Sequence, residues 1–401
     1  KTFNTDIFLA GKEAGPSLFA KNFIESKADL ALLEGAMGYY DGLAGTSPIA
    51  SASEVAAAYK VPVILVVDAS SSSFSLIPQI KGFLEYKNGD FIKGIILNKV
   101  SAGLYAKLKE VIEKECHLPV LAFLPKSQDL LWPSRHLGLF LPNQIAEFKN
   151  QIAKAAALLE ESLDFEKLNE IANAAEDLNS DELDFCKKAL SPFKKTKVKI
   201  ALAYDQAFCF YYQDNISLLQ ELGAEIIYFS PLRDTSLPDD IQGVIFGGGY
   251  PELYAKELEE NVQLRKDIKN QLETGLPALA ECGGFMYLQE KLSCADGRSY
   301  SMCGFLKGQT FYTGHLVRFG YAEFSTRDYR LLGHEFHYFD SDCNGSVFKA
   351  QKPLSEKNWP CIQKEKNVVA GFPHFYYWSC PKFAFDFLTK IIKSRDRKSV
   401  V

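Results

Sequence analysis

The sequence lacks several patterns that mark whole classes of protein. Its nine cysteines include no Cys-x-x-Cys pair, and their number is odd. They outline neither a disulfide framework nor a zinc site, and they fit reduced thiols in a cytoplasmic protein. No apolar run is long enough to cross a bilayer, and residues 1–20 carry no signal-peptide core. Basic residues are not in excess: 45 Lys and Arg stand against 50 Asp and Glu, a net charge of -5, which argues against a nucleic-acid surface. The basic stretch Lys393 to Lys398 reads as a solvated end. Histidine is scarce, at six in the chain, and no internal repeat or low-complexity segment is present. What remains, 47% hydrophobic and 24% charged over 401 residues, is a globular composition with length for two domains.

The first half alternates short apolar runs with helical stretches. Residues 31–33, 63–67, 94–97 and 120–123 are predicted strands, with helices around 53–58 and 105–114 between them. Continuous apolar strands separated by helices point to a parallel sheet covered on both faces. Residues 151–196, rich in Glu, Asp, Lys and Ala, are predicted to be a helical linker. A second α/β domain then runs over 197–393. It has predicted strands at 198–203, 226–229, 243–246 and 278–280, a helix near 214–222, a long helix over 252–273 and a last helix at 383–392. The aromatic and Gly-rich region 300–369 reads as β-hairpins. The expected organisation is a first domain over 1–150, the linker, the second domain and a tail at 394–401, with two three-layer α/β domains built on mostly parallel sheets.

The strongest local signal is Leu276-Pro277-Ala278-Leu279-Ala280-Glu281-Cys282-Gly283-Gly284-Phe285-Met286. A buried strand ends in a cysteine, two glycines follow, and a helix starts. A nucleophile at a tight strand-to-helix turn projects above the sheet, and the helix N-terminus is expected to lower its pKa. The glycines permit the turn and the approach of substrate to the backbone. Taken alone, a buried cysteine is a common core residue. A second strand end, Val244-Ile245-Phe246-Gly247-Gly248-Gly249-Tyr250-Pro251, offers the N–H groups of Gly248 and Gly249 as an oxyanion hole. His374, in Gly371-Phe372-Pro373-His374-Phe375-Tyr376-Tyr377, follows a predicted strand and is the candidate base. It lies far from Cys282 in sequence, as Cys–His partners usually do.

With these segments in order, the second domain resembles the class I glutamine amidotransferase domain, in the branch that amidates corrinoids. Ala207-Phe208-Cys209-Phe210-Tyr211-Tyr212-Gln213-Asp214-Asn215, Gly247-Gly248-Gly249-Tyr250-Pro251-Glu252-Leu253, Glu281-Cys282-Gly283-Gly284 and Gly333-His334-Glu335-Phe336-His337-Tyr338 resemble that branch, and together they resemble the cobyrinic acid a,c-diamide synthase family. The resemblance implies Cys282 as nucleophile and His374 as its activator. It also implies glutamine and a corrinoid or related tetrapyrrole as substrates, and a homodimer. The sequence departs from the family's His-Leu-His-Phe, because Tyr376 stands where the second His is found. It also lacks an acid two residues after the base, where many class I glutaminases carry an orienting Glu. Glu335 is a candidate for that role.

The first domain carries candidate parts of an ATP site. Glu34 and Asp41, in Glu34-Gly35-Ala36-Met37-Gly38-Tyr39-Tyr40-Asp41-Gly42, follow the predicted strand at 31–33. Carboxylates at strand ends of a parallel sheet sit where ligands bind. Glu34 can hold Mg²⁺, and Asp41 can touch the metal or the acceptor. Asp68 ends the next strand and Asn98 the one after. Through the resemblance, and through dethiobiotin-synthetase-like relatives, Asn98 is expected to read the nucleobase and Arg135 to hold phosphate or a substrate carboxylate. The phosphate loop G-x-x-x-x-G-K-[ST] appears nowhere in the sequence. The expected fold is thus a P-loop-like synthetase domain without that loop, followed by a class I glutaminase domain. An N-terminally incomplete sequence is one expected explanation and a lost ATPase the other, with weak ATP binding and a folded glutaminase from about residue 197. The expected function is ATP-dependent amidation of the a- and c-acetates of cobyrinic acid. The alternatives are the same chemistry on nickel-sirohydrochlorin or hydrogenobyrinic acid, or a non-catalytic scaffold.

Overall fold

The computed structural model describes residues 4–130, 148–176 and 184–398. The chain forms two compact units, one made of Lys1–Ala31 with Ser180–Val401 and the other of Leu32–Asn179. The first of these differs from the expected 1–150 boundary, because the opening helices belong with the second half. In α1 (Ile7–Ala10) the N-cap Asp6 accepts from the N–H groups of Phe8 and Leu9. With α2 (Ala14–Ser26), it places Leu9, Ala10 and Leu18 in the same core as Val198, Leu218 and Trp378. Phe8 stacks on Tyr321 at 4.7 Å, Tyr321 donates to Asp6, and Asn22 Nδ2 donates to Asp214 Oδ1 at 3.0 Å.

In the other unit, α3 (Ala52–Tyr59) starts on the N-cap Ser51. There follow β1 (Val63–Asp68), α4 (Leu76–Glu85), β2 (Ile92–Asn98), α5 (Ala102–Cys116), β3 (Val120–Leu124), α6 (Phe148–Glu160) and α7 (Phe165–Asn173). The strands pair in parallel in the order β1-β2-β3, around a core that includes Ile80, Ile95, Leu97 and Ile112. The predicted strand at 31–33 is not formed. The segment is irregular, and Leu32 is 94% exposed. An apolar run becomes a strand only where a neighbour pairs with its backbone N–H and C=O groups, and none does so among the described residues. The predicted linker is divided between the units. Its first part packs on β3, with Asp164 N–H donating to Leu121 O at 2.9 Å. Its last helix, α8 (Asp184–Leu190), sets Cys186 Sγ 3.4 Å from Ser17 Oγ in the first unit.

That first unit continues with β4 (Val198–Ala203), β5 (Phe208–Phe210), α9 (Gln213–Glu221), β6 (Ala224–Phe229), β7 (Gly243–Phe246), β8 (Gly248–Gly249), α10 (Ala255–Glu260), α11 (Val262–Glu273), β9 (Ala278–Glu281) and α12 (Gly283–Leu288). The predicted helix over 252–273 is broken at Asn261. This residue caps α11, accepting from Leu264 N–H, and its Nδ2 donates to the carbonyls of Pro231 and Asp234. Then come β10 (Lys291–Ser293), β11 (Ser299–Ser301), β12 (Gln309–Tyr312), β13 (Arg318–Ser325), β14 (Arg330–His337), β15 (Phe339–Ser341), β16 (Phe348–Gln351), β17 (Asn358–Cys361), β18 (Gln363–Glu365), β19 (Val368–Gly371), β20 (His374–Tyr376) and α13 (Pro381–Lys398). The central sheet runs β18-β19-β9-β7-β4-β6 and is parallel except for β18. Beside it, β17-β16-β13-β14-β20 forms an antiparallel sheet that includes the predicted hairpins.

Candidate active site

Strands β7, β9 and β19 lie side by side, with Phe246 opposite Ala280 and Glu281 opposite Gly371. Their C-terminal ends, where ligands bind in a parallel sheet, lead into Gly247–Gly249, Cys282 and His374. Cys282 has φ 48 and ψ -106, a left-handed backbone that costs a non-glycine residue about 1–3 kcal/mol. Hydrogen bonds hold it there: Cys282 N–H donates to Gly371 O at 2.8 Å, Met286 N–H to Cys282 O at 3.0 Å, and Gly284 N–H to Gly247 O at 2.9 Å. The turn closes only around glycine. A methyl on Gly284 would run into the carbonyl of Phe246, and one on Gly283 would lie 3.2 Å from the nitrogen of Gly249.

His374 is buried on β20, opposite His334 of β14. The Cε1 edge of its ring points at Gly248, so that a methyl there would strike Cε1 and lie 3.2 Å from Nδ1 and 3.3 Å from Nε2. Gly248 thus touches the imidazole while Gly249 borders the Cys282 turn, so the glycine run meets both predicted residues. Tyr211 braces the glycine run, its hydroxyl accepting from Gly247 N–H at 2.8 Å and donating to Ala203 O.

Burial dominates the electrostatics. It pushes the Cys282 thiol up to about 12, the nearby Glu252 carboxylate adds to this, and Gly283 N–H opposes it. The expected lowering by the helix N-terminus does not win, because α12 is only six residues long and loss of water outweighs a short dipole. Burial likewise holds His374 well below the ordinary histidine value, aided by His334 and His337. Both shifts favour the uncharged form, a thiol at Cys282 and a neutral imidazole at His374.

Glu335 does not orient His374. It is buried on β14 next to His334, and neighbouring residues of a strand face opposite sides of the sheet. Its carboxylate lies 3.7 Å from His337 Nε2 and 3.9 Å from Arg318 Nε, and accepts from Trp359 Nε1 at 3.5 Å. Among the described residues no carboxylate is hydrogen-bonded to His374. Tyr376, two residues on, donates to Asp214 Oδ2 at 3.0 Å. What surrounds the imidazole instead is aromatic: His334 stacks on it at 4.7 Å with planes 8° apart, and Phe210 meets it edge-on at 4.9 Å. Neither was singled out from the sequence. Both lie in segments that carried the resemblance, but their convergence needs the pairing of β14 with β20.

In the other unit, Asp68 and Asn98 are register partners at the C-terminal edge of the parallel sheet. Asp68 accepts from Lys99 Nζ at 2.6 Å and from Ser70 N–H at 2.9 Å; these bonds hold its carboxyl well below the usual range. Glu34 stands exposed on the irregular segment after residue 31, not at a strand end. Asp41 is exposed in a turn closed by its N–H donating to Gly38 O at 2.8 Å. Arg135 lies outside the described residues. Among the described residues no group of three or more His, Cys, Asp or Glu is placed to hold a metal ion. No described helix is long and apolar enough to cross a membrane.

The parallel sheet with these turns at its C-terminal ends is that of a glutamine amidotransferase domain. Residues 199–381 match the family model of the CobB/CobQ-like glutamine amidotransferase domain. Over 382 residues the chain is 40% identical to cobyrinate a,c-diamide synthase of Caldanaerobacter subterraneus subsp. tengcongensis, covering 92% of this chain and 82% of that one. It is 35% identical to the cobyrinate a,c-diamide synthase of Fusobacterium nucleatum subsp. nucleatum, covering 96% and 88%, and 35% identical to that of Clostridium acetobutylicum, covering 97% and 87%. The chain belongs to the cobyrinate a,c-diamide synthase family.

Proposed function

We propose that this chain is a glutamine-hydrolysing carbon–nitrogen ligase that amidates the a- and c-acetate carboxylates of cobyrinate, in cobalamin biosynthesis, at the expense of ATP. The observation that carries the reading is the Cys282 turn, bordered by Gly249, with the next glycine, Gly248, against the His374 ring, in a chain similar to these synthases over most of its length. The Cys282 thiol attacks the side-chain carbonyl of glutamine while His374 accepts the thiol proton. The N–H groups of Gly248 and Gly249 stabilise the oxyanion. The C–N bond breaks as His374 returns the proton to the leaving nitrogen, releasing ammonia and a thioester. Water, giving a proton to His374, then cleaves the thioester to glutamate and restores the thiol.

The other half-reaction needs an acceptor carboxylate activated by ATP, since ammonia does not displace hydroxide from a carboxylate. Asp68 and Asn98 mark the sheet edge where such a nucleotide is expected, with Glu34, Asp41 and Arg135 as further candidates. Among the described residues no group of three or more His, Cys, Asp or Glu assembles a magnesium site.

The experiment is amidation of cobyrinate followed by mass spectrometry. Cys282→Ser is expected to abolish glutamine-driven amidation and glutamate release, while keeping any ammonia-driven amidation of the parent chain. Glutamate release at the parent rate would remove Cys282 from the mechanism.

A further inference from the structure

We propose that His334 is a positioning residue of the glutaminase: its ring, pinned by Tyr212, orients His374, to which no carboxylate among the described residues is hydrogen-bonded. The inference rests on the reading of His374 as the base. His334 and His374 are directly opposite on β14 and β20, so their side chains rise from the same face of the sheet. The rings lie 4.7 Å apart and within 8° of parallel, which blocks rotation of His374 towards β14. Phe210 stands edge-on to both imidazoles, at 4.9 Å from His374 and 5.6 Å from His334. Gly248 limits the Cε1 edge.

His334 is itself fixed. The Tyr212 hydroxyl lies 2.7 Å from its Nδ1, and the Tyr212 ring packs perpendicular to His334 at 5.9 Å and to Tyr376 at 5.3 Å. With the hydroxyl donating, His334 carries its proton on Nε2. Burial keeps this ring neutral, with a pKa of about 4, so it offers His374 a flat surface and no positive charge. A base that must move a proton between sulfur and nitrogen gains rate from being held in a near-attack geometry, and a misplacement of about 1 Å costs roughly 100-fold. A histidine stacked merely as core filling would affect stability and not kcat.

The test is glutamate release by the full chain carrying His334→Ala, His334→Phe or Tyr212→Phe, with melting temperature recorded for each and Cys282→Ser and His374→Ala alongside. His334→Ala is expected to lower kcat roughly 10- to 100-fold with KM for glutamine little changed. His334→Phe keeps a flat ring and should recover most of that loss. Tyr212→Phe, which frees His334 without removing it, should lose less than His334→Ala. If His334→Ala melts far below the parent, the other two variants decide. Parent kcat in both His334→Ala and Tyr212→Phe overturns the proposal, and so does a His334→Phe variant as impaired as His334→Ala at equal stability. Activity retained by His374→Ala would instead overturn the base assignment beneath it.

Discussion

At the scale of the residue, this site is built from groups that burial holds in their neutral forms. Besides Cys282 and His374, Glu281 immediately before the nucleophile is affected. The residue is only half-buried over its whole surface, but its carboxyl is turned inward to the Tyr377 hydroxyl, which donates at 3.1 Å. Desolvation raises its pKa to about 8 from 4.5, against the bonds from Tyr377 and Phe375 N–H. Between these values the folded chain holds a proton that the unfolded chain has released. Glu281 therefore contributes stability that is fully present below pH 4.5 and is lost as pH rises through about 8, on the order of 1.4 kcal/mol per pH unit at most. Glu281→Gln keeps an acceptor for Tyr377 and has nothing to titrate. In urea unfolding at pH 5 and pH 8, the variant is expected to gain on the parent at the higher pH. An unchanged difference between parent and variant across the two pH values would show that this carboxyl does not titrate in that window.

At the scale of the element, the site is a set of strand ends whose turns accept only glycine. Gly248 is the sharpest case, because its missing side chain is what lets the His374 ring approach. Gly248→Ala is expected to displace the imidazole, lowering kcat at least 10-fold and costing about 1–3 kcal/mol of stability by overpacking. Parent kcat with glutamine would show that the ring has room to spare. Much of this was legible in the sequence. Cys282 and Gly247–Gly249 stand next to the apolar runs that become β9 and β7, so motif and element are encoded together. The segment at 31–33 reads equally well as a strand and fails, because its outcome depends on a pairing partner and not on its own residues. The break at Asn261 is encoded locally, in a side chain that caps α11, but the helical composition on both sides masks it. His334 was beyond the sequence for another reason. Its role exists only in the register between β14 and β20, and register is set by side chains distant in the chain.

At the scale of the whole molecule, composition and α/β alternation give two units but not the path of the chain between them. The reason is that residues 4–26 contribute polar contacts that no hydrophobic pattern reveals. Asp214 is buried, and desolvation raises its pKa; the bonds that oppose this come from Asn22, Tyr376 and Asn4 N–H. Two of those three partners belong to the opening segment. Lys21 pairs with Glu221 and lies 5.6 Å over the Trp378 ring, so a second anchor ties α2 to α9 and to the chain just after β20. The expectation that the glutaminase folds from about residue 197 thus omits part of its support. A buried polar group deprived of a partner costs roughly 1–3 kcal/mol. Asn22→Ala in the full chain is accordingly expected to lower the temperature at which glutaminase activity is lost, while the specific activity at 25 °C stays near that of the parent. A chain starting at residue 197, which also loses Leu9, Leu18 and Cys186 from the shared core, should fall further or fail to fold. If that shorter chain loses activity at the same temperature as the whole, the opening helices lie against the glutaminase without supporting it.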